Sequence, residues 1–114
     1  MFEVRLSLDF NEEFQKFKIK AEKGDGEAKY LLRIIEKGID KLKVNSEAGK
    51  HIPKKLIPKF YITKYEVTNL WKLNLDSFWR MIYTLEGDKI NIYSIVLEVL
   101  DHKKYDKKFG YKTS

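Results

Sequence analysis

Arg80 stands in the run Phe78-Trp-Arg-Met-Ile-Tyr83, where every neighbour is large and apolar. An unpaired buried charge costs roughly 3–5 kcal/mol, so this guanidinium has to reach water, a carboxylate or an anionic ligand. A second group of reactive side chains lies in Asp101-His-Lys-Lys-Tyr-Asp-Lys-Lys-Phe109, which sets His102 and Tyr105 among four lysines, with Tyr111 and Lys112 close behind. Histidine, with a reference pKa of about 6.5, exchanges a proton near neutral pH. A tyrosine beside lysines can donate a proton or hold a phosphate, although a lone histidine is more often structural than catalytic. A third group is Lys50, Lys54, Lys55, Lys59 and Lys64, which have no acid between Gly49 and Tyr65, and Phe60 and Tyr61 are interleaved with them. Basic and aromatic residues together suit phosphate contact and base stacking. The plainer alternative is a solvated connection whose Ile57 and Phe60 are pinned to the core.

Other chemistries are excluded by composition. The chain has no cysteine and only two histidines, His51 and His102, so disulfides, thiolate metal sites and His-rich metal sites are ruled out. No cofactor motif is present, and neither a cofactor nor a metal is expected. No apolar run approaches the ~18 residues of a membrane span. The charged, alternating N-terminus does not read as a signal peptide, so the cytoplasm is the expected compartment. The net charge of +6 is unevenly spread: residues 1–40 balance at −1 and residues 41–114 at +7. Basic charge gathered in one part of a small domain fits a polyanion partner. A lysine-rich surface that only aids solubility is the alternative.

Length and periodicity indicate the scaffold. With 114 residues, one domain spanning 1–114 is expected. Phe2, Val4, Leu6 and Leu8 alternate with polar residues, as in a half-buried strand. Phe10, Phe14, Phe17 and Ala21 recur at helical spacing, with Asp9 or Asn11 as the cap and Lys23-Gly-Asp-Gly26 as the break. Ala28, Leu31, Leu32, Ile35, Ile39 and Leu42 form a second helical stripe from about Asp25. Lys43 to Thr63, which holds both prolines, reads as irregular. Strands are expected over Tyr65–Leu75, Phe78–Leu85 and Ile90–Val99, and the last two carry apolar residues on both parities, as interior strands do. The expected fold class is α+β: a strand, a two-helix hairpin, then a three-stranded antiparallel meander, all in one twisted sheet. The helices cover one face, and the basic loop and short C-terminal basic segment line the other.

This order, the Trp79-Arg80-Met81-Ile82-Tyr83 segment and the closing Asp101–Phe109 run resemble the RelE/ParE superfamily, the small toxins of type II toxin–antitoxin modules. The resemblance extends from Phe2 to Tyr111, and the tail is similar to the His-Lys-x-Tyr tails of archaeal members. It implies a ribosome-dependent endoribonuclease that cuts mRNA at a 2′-OH without a metal, and whose partners are the ribosome, mRNA and a cognate acidic antitoxin. By the same resemblance Arg80 matches the arginine of the central strand, and Lys72 partly matches a strand lysine pair, one position out of register. His102 or Lys103, then Tyr105, match the basic residue and tyrosine of the tail. RNA cleavage needs a base for the 2′-proton, positive charge at the phosphorane and an acid for the 5′-oxygen. On this reading Arg80 and Lys72 contact the phosphate, His102 transfers a proton, and Tyr105 positions the base or acts as the acid. Lys54, Lys55, Lys103, Lys104 and Lys107 dock the RNA backbone with salt-sensitive affinity. Two other readings share the fold: a ParE-like DNA gyrase poison and a non-catalytic basic RNA-binding module.

Overall fold

The computed structural model describes residues 2–88 and 90–110; Tyr111 and Lys112 of the tail lie outside the described residues. The chain runs β1 (Phe2–Leu6), α1 (Leu8–Glu22), α2 (Gly26–Val44), β2 (Lys50–His51), a 3₁₀ turn (Lys54–Leu56), α3 (Lys59–Tyr65), β3 (Trp71–Asn74), β4 (Trp79–Gly87), β5 (Ile92–Asp101) and α4 (His102–Phe109). The five strands form one mixed sheet in the order β1-β5-β4-β3-β2. β1 runs parallel to β5 and the other pairs are antiparallel. The class is α+β, and β4 is the central strand.

Each face of this sheet carries its own core. On one side the α1–α2 hairpin packs Phe10, Phe14, Leu31, Ile34, Ile35 and Leu42 onto Leu73, Met81, Tyr83 and Val96. Fully burying a side chain of this size is worth about 1.5–3 kcal/mol, and this layer dominates the packing. The helices begin at caps that satisfy free N–H groups: the Ser7 hydroxyl accepts from Phe10 N at 3.1 Å and the Asp25 carboxylate from Ala28 N at 2.9 Å. Ser7 is therefore the cap of α1, in place of Asp9 or Asn11. Gly38 lets α2 sit close to the sheet, because a Cβ there would meet the Leu75 side chain at 2.5 Å.

The other side is closed by pieces that the sequence pattern does not resolve. Ile52, Ile57, Tyr61, Val67, Leu70 and Tyr105 cover Ile82, Leu97 and Leu100. The stretch expected to be irregular contains a two-residue strand, a 3₁₀ turn and a helix. The strand expected over Tyr65–Leu75 is reduced to Trp71–Asn74, since Tyr65 ends α3 and Glu66 caps it in the left-handed conformation, φ 53°. Tyr61 rather than Phe60 is the buried aromatic of this segment, at 0% exposure against 38%. Tyr61 therefore belongs to the core and cannot stack on a base. The C-terminal basic segment is a helix, α4, capped by the Asp101 carboxylate, which accepts from Lys104 N at 2.8 Å.

Tyr83 ties the segment after α2 to the sheet. Its hydroxyl donates to Ser46 O at 2.9 Å and accepts from Gly49 N at 3.0 Å, and burial pushes its pKa up to about 12. A Cβ at Gly49 would lie 2.6 Å from Lys72 O and 2.8 Å from the Tyr83 hydroxyl. Gly49→Ala is therefore expected to cost about 1–3 kcal/mol, as overpacking does, measured by urea denaturation. A variant as stable as the wild type would show that β2 is not held this tightly.

Candidate functional site

Register places the cations. Cross-strand partners share a face of a sheet, and the ladder pairs Lys50 with Lys72, Lys72 with Ile82, and Asn74 with Arg80. Met81 and Tyr83 point to the helical hairpin. Arg80, Ile82 and Lys72 therefore face the opposite side, and Lys50 stands beside Lys72 on the same face. Arg80 is half-buried, yet it makes no ion pair among the described residues; its Nη1 donates to Ser77 O at 3.3 Å. Two carboxylates lie near it, and both are held by other donors, although the charge of Arg80 is one of the causes that lower the Asp76 pKa. Glu98 receives both of its contacts from Lys108 Nζ, at 3.1 and 2.9 Å. Asp76 accepts from Phe78 N at 2.8 Å, Trp79 N at 2.6 Å and the Tyr30 hydroxyl.

The helix α4 supplies the other wall. The Lys72 ammonium lies 5.0 Å from the centre of the Tyr105 ring, a cation–π contact, and Tyr105 itself is buried, 3% exposed. Desolvation first, then the charges of Arg80 and Lys50, lower the pKa of Lys72, and Asp106 opposes them. His102 opens α4. Its ring meets Phe78 edge-on at 4.5 Å between centroids, and its Nδ1 is buried without a hydrogen-bond partner. Arg80 lies two residues from Phe78 and pairs one rung from Trp79–Asp101. The imidazole thus packs on Phe78, past the Arg80–Leu100 rung.

No family model matches the chain, and no curated protein or solved structure matches it significantly.

The remaining lysines separate by position. On α4, at 100° per residue, Lys104 and Lys108 lie on the flank away from His102 and Asp106. With Lys107 they line a cavity of about 560 Å³ beside Glu13, Glu98, Val99 and Leu100, where β5 runs past the end of β1. Lys104 and Lys107 thus border this cavity, which reaches the Arg80 rung at Leu100. Lys103 is exposed on α4, and Lys54 and Lys55 are exposed on the 3₁₀ turn. Lys50 and Asp106 stand beside Lys72; the sequence marked Lys50 only as one of five loop lysines and Asp106 not at all. Lys50 reaches this position through a two-residue strand that has no periodicity to detect. Asp106 is four residues after His102, so a helical reading of the tail would have placed the two on one flank.

The three cations repel one another, which bears on stability. The Lys72 pKa is lowered from 10.5 in the folded chain. Its charged form therefore weakens folding once the pH falls below the unfolded value, fully so below the folded one, and neutral pH lies below the unfolded value. Lys72→Met is expected to melt at or above the wild-type temperature at pH 7 while losing anion binding. A melting point several degrees lower would mean that Lys72 is a structural group.

Proposed function

We propose that the chain is a RelE-like toxin: a ribosome-dependent endoribonuclease whose Lys72 and Arg80 hold the scissile phosphate of an mRNA. The observation that carries this reading is an arginine that makes no ion pair among the described residues, beside a partly desolvated lysine, on the sheet face away from the helical hairpin. Two cations on neighbouring strands, offset by two residues on one face of the sheet, suit the charge that grows on a phosphorane. In the proposed step a base removes the 2′-proton, the 2′-oxygen forms a bond to phosphorus, and the P–O5′ bond breaks. The products are a 2′,3′-cyclic phosphate and a 5′-hydroxyl protonated by the acid. His102 is assigned to proton transfer. Tyr105 is assigned to positioning, because its ring supports the Lys72 ammonium. The basic C-terminal part would attract an acidic antitoxin and the ribosome–mRNA complex alike.

The test is addition of the purified protein to a translating extract that contains a defined mRNA. Fragments that appear only with ribosomes present support the reading. Loss of supercoiling activity by gyrase, with intact mRNA, would point to the ParE-like function instead. Salt-sensitive RNA binding without fragments would favour the non-catalytic module, the reading that the packed position of His102 against Phe78 supports best.

A further inference from the structure

The cation row does not end at Lys72. β2 pairs with β3 only at Lys50–Lys72 and His51–Trp71, so beyond Lys72 the edge of β3 is open at Leu73 and Asn74. A recess of about 350 Å³ lies at that edge, lined by Ala48, Gly49, Lys50, Lys72, Leu73 and Asn74. Its wall is held in place: Gly49 N donates to the Tyr83 hydroxyl, and the Gly49 backbone packs so closely on β3 that a Cβ would meet Lys72 O at 2.6 Å.

We propose that this recess is a second phosphate subsite for single-stranded RNA, with Lys50 as its ammonium and the Asn74 amide in reach of the attached nucleotide. The proposal rests on the RNA-cleaving reading above and extends it along the strand. Lys50 and Arg80 are two strands apart and offset by two residues, a separation of about 12 Å between backbones at ordinary strand spacing. That is too wide for the oxygens of one phosphate and suits two successive ones, with Lys72 between them. Lys50 is exposed and makes no ion pair among the described residues, so its ammonium is not committed to a carboxylate. The repulsion it exerts on Lys72 is relieved when an anion binds between them.

The test is binding of a short, end-labelled 2′-O-methyl RNA, which cannot be cut, over a series of salt concentrations. For single strands the slope of log K against log salt changes by about 0.7 for each phosphate contact. Lys50→Gln is expected to reduce the slope by about 0.7, and Lys50→Arg to restore it. Lys16→Gln, on the exposed side of α1 across the sheet, is expected to leave it unchanged. A wild-type slope in Lys50→Gln, alongside a reduced slope in Arg80→Ala, overturns the second subsite and leaves the first standing. A wild-type protein that shows no salt-dependent binding of the free RNA also overturns the second subsite, while the cleavage reading stands or falls separately on fragments in the translating extract.

Discussion

Arg80→Ala is expected to lower ribosome-dependent mRNA cleavage by about 10²–10³, the range seen when one preorganised donor to a developing oxyanion is removed. Stability is expected to change by less than roughly 1 kcal/mol, since the contacts of Arg80 are one long hydrogen bond to Ser77 O and a charge interaction with the partly exposed Asp76. Among the described residues the guanidinium makes one hydrogen bond, to Ser77 O at 3.3 Å on an exposed turn. Glu98 stays with Lys108, a pair whose side chains are 19% and 27% exposed, and Asp76 keeps its two backbone donors and Tyr30 without Arg80. Removing the arginine also relieves Lys72 of one of its two cationic neighbours. Arg80→Lys keeps the charge and loses the planar fork, so it is expected to recover only part of the rate. Fragment yield measured beside far-UV circular dichroism and a thermal melt decides the matter. An unfolded Arg80→Ala variant would make the residue a structural cation and end its assignment to the phosphate.

What the sequence disclosed follows from which interactions are local. The helix pair was legible because Phe10, Phe14, Leu31, Ile35 and Leu42 repeat at helical spacing and are buried where that spacing puts them. The central strand was legible through Met81 and Tyr83 on one parity and Arg80 and Ile82 on the other. Strict alternation fails in β5, where the register slips opposite Ile82 and Tyr83. There Val96 and Val99 face the hairpin while Leu97 and Leu100 face the second core, so apolar residues on both parities reflect a bulge as well as an interior position. The parallel pairing of β1 with β5 is a contact between the two ends of the chain and leaves no local mark. The second core was hidden for the same reason: α3 and β2 are too short for periodicity, and what fixes them is contact with Ile82 and Leu97. Arg80 was found because it violates its local pattern. Lys50 was merely one lysine among five until the ladder set it beside Lys72.

His102→Ala is expected to reduce cleavage by about 10²–10⁴ if the imidazole transfers a proton. The same substitution also removes a ring packed edge-on against Phe78 at 4.5 Å, so the alanine variant alone confuses chemistry with positioning. His102→Phe separates them. It keeps an aromatic contact for Phe78 at the first position of α4 and has no nitrogen to carry a proton. A proton-transfer role requires both variants to lose activity to a similar degree, with the wild-type pH–rate profile losing one limb in each. A packing role requires His102→Phe to recover most of the rate and the profile to keep its shape. Lys72 then becomes the remaining candidate base: desolvation, Arg80 and Lys50 all lower its pKa, which enlarges the neutral fraction able to accept the 2′-proton. A loss below tenfold in His102→Ala would settle the assignment against the histidine, and Lys72→Arg, which keeps the charge but cannot become neutral near physiological pH, would then be expected to show the larger defect.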